Sequence, residues 1–162
     1  MNNQNYSITS ARKFEFYHEL YIESMLVKLY ERVYIAIMAL QVVVCIITAF
    51  GGLQARSAAV MMAVLVAFIM IVNPQRKALK AKNKESKYVE MIAFIESYSD
   101  DELINRMCSI ADETSHGRAL VEKSAYLQAA HYLGATEQVV KIKEQLSHRD
   151  KLVAFLSGGL PM

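Results

Sequence analysis

Two uncharged apolar stretches separated by only seven residues govern what this chain can fold into. The first, Val33–Phe50, reads VYIAIMALQVVVCIITAF, eighteen residues without a charge; the second, Ala58–Val72, reads AAVMMAVLVAFIMIV. As a helix rising about 1.5 Å per residue, the first covers about 27 Å, close to the roughly 30 Å hydrocarbon layer of a bilayer, and Gly51–Leu53 can extend it. The second covers only about 22 Å. It reaches across if Leu53–Ser57 join the helix and Arg56 snorkels outward; local thinning of the bilayer is the alternative. As the core of a soluble hairpin, two such runs leave too little of a 162-residue chain to cover them. The expectation is an integral membrane protein with spans at about residues 33–52 and 55–73. A cleaved leader is disfavoured, because the 32 residues before the first stretch carry Glu15, Glu19, Glu23 and Glu31, unlike a short basic n-region.

Lysine and arginine set the expected orientation. The connecting loop holds one basic residue, Arg56, whereas Arg76, Lys77, Lys80, Lys82, Lys84 and Lys87 follow the second stretch and Lys28 and Arg32 precede the first. The positive-inside rule places both termini in the cytoplasm and the loop on the far face, in the inner membrane if the source is a bacterium. The chain then divides into a cytoplasmic N-terminal helix (1–32), a transmembrane hairpin (33–73) and a cytoplasmic helical domain (74–162).

The rest of the chain reads as helix. It has six glycines and two prolines, and no useful segment alternates with period two, so no sheet is expected. Ser10 can cap a first helix running to about Arg32. Phe14, Tyr17, Leu20, Tyr21, Ile22, Met25, Leu26 and Leu29 give it a broad apolar surface, while Glu15, Glu19 and Glu23 make a charged stripe. Lipid-surface helices favour basic polar faces, so this acidic one is expected to pack on the cytoplasmic domain and can run straight into the first span. Asn73-Pro74 closes the second span and opens a helix to about Tyr98. Ser99–Glu102 is a capping box starting another helix, with Leu103, Ile104, Met107, Ile110 and Ala111 as its apolar stripe. Further helices are expected over Arg118–Leu133, Thr136–Leu146, and a last turn or two capped by Ser147 and Asp150 and ending at Gly158-Gly159.

Within the spans, Gln41 lies near the middle of the first. A polar side chain in hydrocarbon faces protein or water, so Gln41 either lines a pore or sets register in an oligomer, or bonds to the partner helix. Thr48 is a weaker candidate, because its hydroxyl can bond back to its own helix. Ala59, Ala63 and Ala67 form a small-residue ridge that permits close helix contact, within the hairpin or between subunits. The run Arg76, Lys77, Lys80, Lys82, Lys84 and Lys87 reads as a patch for anionic lipid; it lacks the interleaved aromatics of a nucleic-acid surface, and the net charge is only +2. Cys45 and Cys108 form no CxxC or Cys/His cluster and read as free thiols. Glu113 and His116 form one ExxH pair, but the second pair of a di-metal carboxylate site is missing. With no GxSxG, Walker A, GxGxxG or HExxH pattern, neither an enzyme nor a cofactor site is expected.

The helix Arg12–Glu31, the spans Val33–Phe50 and Ala58–Val72, and Asn73-Pro74 followed by a basic helix ending in Tyr88 resemble the layout of the SLATT group of bacterial two-transmembrane proteins. The resemblance covers roughly the first 98 residues. It implies a pore-forming or membrane-perturbing effector of defence or conflict systems, and assigns no site residues. Two functions are thus expected candidates: an oligomeric inner-membrane effector, or a non-conducting anchored protein, for example an exclusion protein, whose cytoplasmic helices bind a partner. The expected partners are the bilayer, further copies of the chain and a cytoplasmic protein, with no nucleic acid.

Overall fold

Between Ser10 and Ala49 there is neither glycine nor proline, and in the computed structural model those forty residues are one helix, α1. The structure describes residues 9–111, 117–135, 139–140, 142–143 and 146–159. At about 1.5 Å per residue α1 is about 60 Å long. The boundary expected at residues 32/33 therefore falls inside a continuous rod. Its start differs from expectation: the N-cap is Thr9, not Ser10, and Thr9 makes no side-chain bond to its own helix. Instead its amide and hydroxyl both donate to Asp100, each at 3.1 Å. A distant carboxylate thus ties down the end of the rod.

α1 stops in a Schellman motif. Gly51, at φ 72°, adopts the left-handed conformation, its amide donates to the Thr48 carbonyl and the Gly52 amide to that of Ile47, which satisfies two end carbonyls. The chain then reverses into α2, Ala55–Val72. This eighteen-residue helix includes Arg56 in its first turn and reaches about 27 Å. Asn73 ends it in the left-handed region, and its side chain accepts from the Arg76 amide to open α3, Pro74–Ile92. Proline suits that first position because its missing N–H has no helical partner to lose.

α3 ends at Ile92 rather than near Tyr98. After Ala93-Phe94 a single 3-10 turn, Ile95–Ser97, follows. Its three-residue period turns Ile95 and Tyr98 together into the core while Phe94 stays exposed. α4, Asp100–Ala111, is capped by Ser99, whose hydroxyl accepts from the Glu102 amide; the Glu102 carboxylate turns to Arg106. α5 is Arg118–Tyr132. It begins after Gly117, whose φ is 85° and where a Cβ would sit 2.8 Å from the Tyr30 hydroxyl, so only glycine lets α5 start this close to α1. Of the helix expected over 136–146, Val139, Val140, Ile142 and Lys143 are helical and most of the rest lies outside the described residues. The last helix, α6, is His148–Leu156 with both halves of its capping box formed by Ser147 and Asp150. No strand occurs among the described residues.

α3 runs antiparallel to the first half of α1, with Lys84 on Glu23 and Tyr88 on Phe16, and α5 packs against the same half. One cluster joins Phe16, Tyr17 and Leu20 to Tyr88, Met91, Ile95, Leu103 and Ala129. The next, nearer the apolar half, joins Ile22, Met25, Leu26 and Leu29 to Ala81, Val121 and Ala125. Each fully buried side chain of this kind contributes about 1.5–3 kcal/mol, and together they define a helical head. From about Ile37 onward α1 pairs with α2 as a stem.

The enclosure alters the expected charged stripe. Glu15 is exposed and pairs with Arg12 at 2.6 Å. Glu19 forms a two-pronged pair with Arg118 of α5. Glu23 is buried, with the Lys84 ammonium of α3 at 3.9 Å. The stripe is thus solvated only at its start, because α3 and α5 bring basic residues over the rest.

Candidate membrane hairpin and its basic collar

α1 and α2 are both long and apolar enough to cross a membrane, yet only 11% and 6% of their most apolar eighteen-residue stretches are buried. A core helix of a soluble protein buries its apolar residues against protein. Here Ile35, Val43, Ile46, Val60, Val64, Met70 and Ile71 all face outward. A contiguous exposed apolar surface of this kind marks an interaction or membrane-facing region.

The helices meet along a narrow seam. On α1 the covered residues are Ile37, Gln41, Val44 and Thr48; on α2 they are Ala58, Met62, Leu65, Ile69 and Val72. Both sets follow the three-and-four spacing of one helical face. Gln41 is thus half-buried on the seam, and the Thr48 hydroxyl donates to the Val44 carbonyl at 2.7 Å. Ala59, Ala63 and Ala67 are all exposed. The small-residue ridge lies outside the seam and is not used to close the hairpin.

The six basic residues after the second stretch are divided by the helix that carries them. Arg76, Lys80, Lys82 and Lys87 are exposed. Lys77 turns toward α1, its ammonium 5.9 Å from the centre of the Tyr30 ring, within range of a cation–π contact. Lys84 reaches inward to Glu23. A run of basic residues along an α-helix cannot keep a single face, since successive residues turn by about 100°.

At the junction of stem and head, Tyr30, Glu31, Tyr34, Ile35, Gln75, Ala78, Leu79 and Lys82 line an open groove of about 480 Å³. Apart from Tyr34, at the second position of the first uncharged stretch, its polar and charged side chains come from the turns just before and just after the uncharged stretches. The Tyr30/Tyr34 pair on the border of an apolar run was a readable signal, because interfacial tyrosine marks headgroup depth. Other contacts were not readable. Arg32 donates to the Phe155 carbonyl at 2.6 Å, and His18 Nε2 lies 3.3 Å from the Glu122 carbonyl; both partners are over a hundred residues away in sequence.

Burial and pairing shift several titratable groups of the head. Tyr17 is pushed up to about 12, first by burial and then by its hydrogen bond to Tyr132. Burial likewise raises Tyr21, Tyr30 and Tyr88, so these phenols stay neutral and act as packing groups with a hydroxyl handle. The bond to Glu19 raises Arg118. Hydrogen bonds from Lys123 and then Ser147 lower Asp150. Cys45 and Cys108 are both exposed free thiols. The Glu113/His116 pair lies outside the described residues.

Comparison with protein-family models, curated proteins and solved structures finds no match for this chain.

Proposed function

We propose that this chain is an oligomeric bacterial inner-membrane protein, with head and both termini in the cytoplasm, and that it perturbs the membrane as an effector of a defence or conflict system. The observation that carries the membrane assignment is the outward apolar surface of the stem, about nine-tenths unburied in its most apolar stretches. The exposed Ala59/Ala63/Ala67 ridge supports association between copies, since it is free of the hairpin seam. The exposed Arg76, Lys80, Lys82 and Lys87 support the cytoplasmic placement of the head, where anionic lipid attracts each charge by roughly 1 kcal/mol. The SLATT-like layout supports the effector role.

The helices suggest how a signal at the head reaches the bilayer. α1 is the central helix of the head and the first span of the stem without a break, so a tilt imposed by α3 and α5 is carried into the span. α2 is coupled to the head through the left-handed Asn73. That joint lets the second span change its angle to the first while α3 stays packed. Inducing the protein in cells under triggering conditions and following membrane potential tests the reading: depolarisation is expected, and an undisturbed potential counts against it. Ala63→Leu, placed on the exposed ridge, is expected to lower the mass of the detergent-purified particle.

A second reading rests on the head. α3 and α4 form a groove of about 400 Å³ lined by Lys87, Met91, Phe94, Tyr98 and Arg106 among others, with Arg106 4.6 Å over the Tyr98 ring. A non-conducting anchored protein would bind a cytoplasmic partner there. A Gln41→Leu variant with full activity favours this reading over the first.

A further inference from the structure

α6 carries apolar residues on two sides, and its inner side is accounted for by packing. Val153 and Leu156, like Tyr30 and Val33, pack against the cluster of Ile22, Met25, Leu26 and Leu29, and Ala154 and Ser157 are buried. Its start is held by Lys123 of α5 on Asp150 at 3.0 Å. Its end is held by Arg32, which donates to the Phe155 carbonyl at 2.6 Å, and by Gln128, which donates to the Gly158 carbonyl at 3.3 Å. A cation on the last carbonyls of a helix is the favourable placement for its dipole. Arg32 is also the last charge before the uncharged stretch begins at Val33. The C-terminal end of α6 is thereby fixed at the level where charged residues give way to apolar ones.

The outer face is different. Leu152 and Phe155, three residues apart, are 61% and 71% exposed. His148 and Arg149, one turn earlier on the same side, are also exposed.

We propose that this face of α6 rests on the bilayer, with Leu152 and Phe155 below the headgroups and Arg149 among the lipid phosphates. The inference rests on the membrane reading of the stem and adds a contact to it. A bilayer is favoured over a second protein for two reasons. The end of the helix that carries the face lies beside the start of the first span, where Arg32 bonds the Phe155 carbonyl. Its chemistry, an apolar pair beside a basic residue, matches the headgroup boundary that interfacial helices occupy. The last helix then acts as a lever arm, reporting lipid at the surface to α1 through Arg32 and to α5 through Lys123.

The chain contains no tryptophan, so Phe155→Trp provides a single fluorophore. The full-length protein is reconstituted in vesicles of phosphatidylethanolamine and phosphatidylglycerol, with or without a phosphatidylcholine brominated near the top or near the end of its acyl chains. Leu152→Trp serves as a second probe of the same face should Phe155→Trp fold poorly. Phe68→Trp on α2 reports the span, and Phe94→Trp, just beyond the end of α3 and exposed, reports water. Phe155→Trp is expected to lose about half its emission to the shallow bromines and clearly less to the deep ones, as suits a helix lying in the interface. Phe94→Trp is expected to be unaffected by either.

If Phe68→Trp is quenched while Phe155→Trp and Leu152→Trp behave like Phe94→Trp, the contact is overturned and the membrane reading stands. Emission from position 155 that is blue-shifted yet unquenched places protein over the face, a partner or a second copy, and also overturns it. If Phe68→Trp itself escapes quenching, the membrane reading falls and the contact with it.

Discussion

The two halves of α1 share one secondary structure and have opposite surroundings. In the head, Phe16, Ile22 and Leu26 are completely buried; in the stem, Ile35 and Ile46 are 63% and 51% exposed. Both halves are apolar. What separates them is the charges in between. The head half carries Glu19 and Glu23, whose partners Arg118 and Lys84 come from α5 and α3. The stem half has no charge to pair and only α2 beside it. A helix enclosed by protein can keep ionised groups if neighbouring helices supply counter-charges; one enclosed by lipid must do without them.

The largest test of this contrast substitutes the same kind of residue in both halves. Phe16→Ala in the head is expected to destabilise by about 3–5 kcal/mol, because transfer and cavity terms add in a closed core. Ile46 in the stem is half exposed, so Ile46→Ala leaves no closed protein cavity and is expected to change head unfolding by under about 0.5 kcal/mol. Thermal or urea unfolding in detergent, followed by circular dichroism, measures both. Similar losses for the two would erase the distinction between head and stem.

A charge reverses the asymmetry. Val43 of the stem and Leu120 of the head are both about half exposed, at 47% and 52%. Val43→Lys is expected to oppose insertion by about 2.5–3.5 kcal/mol, shifting protein out of the membrane fraction. Leu120→Lys faces water and is expected to leave fractionation unchanged. A neutral Val43→Lys would mean that the outward stem surface is not in hydrocarbon.

Within the head, the buried Glu23 ties its interior charge to α3. Lys84→Ala is expected to cost about 1–3 kcal/mol, the penalty for weakening the pairing of a buried charged group. Lys84→Ala combined with Glu23→Leu is expected to recover most of that loss, since replacing both partners by apolar groups is often neutral. Chemical denaturation of the four-member cycle checks it, and full additivity would show that the two residues do not interact.

The helices and the hairpin were legible because their signals are local. Two uncharged stretches, Asn73-Pro74, Ser99, and Ser147 with Asp150 each mark an element within a few residues of themselves. The unbroken junction at Val33 was legible only as an option, because nothing between Arg32 and Val33 distinguishes a joined helix from two docked ones. The early end of α3 was not legible: Ile95 and Tyr98 fit an α-helical stripe as well as they fit the 3-10 turn that buries them. The division of the basic run was hidden too, because which of Lys77, Lys80 and Lys84 turns inward depends on where Tyr30 and Glu23 lie across the hairpin. The same holds for Arg118 on Glu19 and for Arg32 on Phe155, whose partners are set by tertiary packing. The outward position of the alanine ridge followed only once Met62, Leu65 and Ile69 were seen to occupy the seam.

The smallest expected effect sits at the start of α6, where Lys123 of α5 holds Asp150. Asp150 is lowered from its ordinary value, first by the hydrogen bond from Lys123 and then by Ser147. A carboxylate lowered by folding stabilises the fold above its unfolded value, about 3.9, and that stabilisation is lost as pH falls toward the lower folded value. Acid should therefore loosen α6 from α5 in this window, through loss of both the Lys123 pair and the Asp150 half of the capping box. The Lys123 side chain is 63% exposed, so the pair is screened by salt and the effect is modest. Between pH 5 and about 3, emission from Phe155→Trp or protease cleavage near α6 is expected to report loosening before the head unfolds. Asp150→Asn removes the titrating group, and should start from a slightly looser α6 with a shallower acid response. An identical response in Asp150→Asn would place the acid-sensitive contact elsewhere, and would leave Arg32 as the bond that holds α6 at the junction.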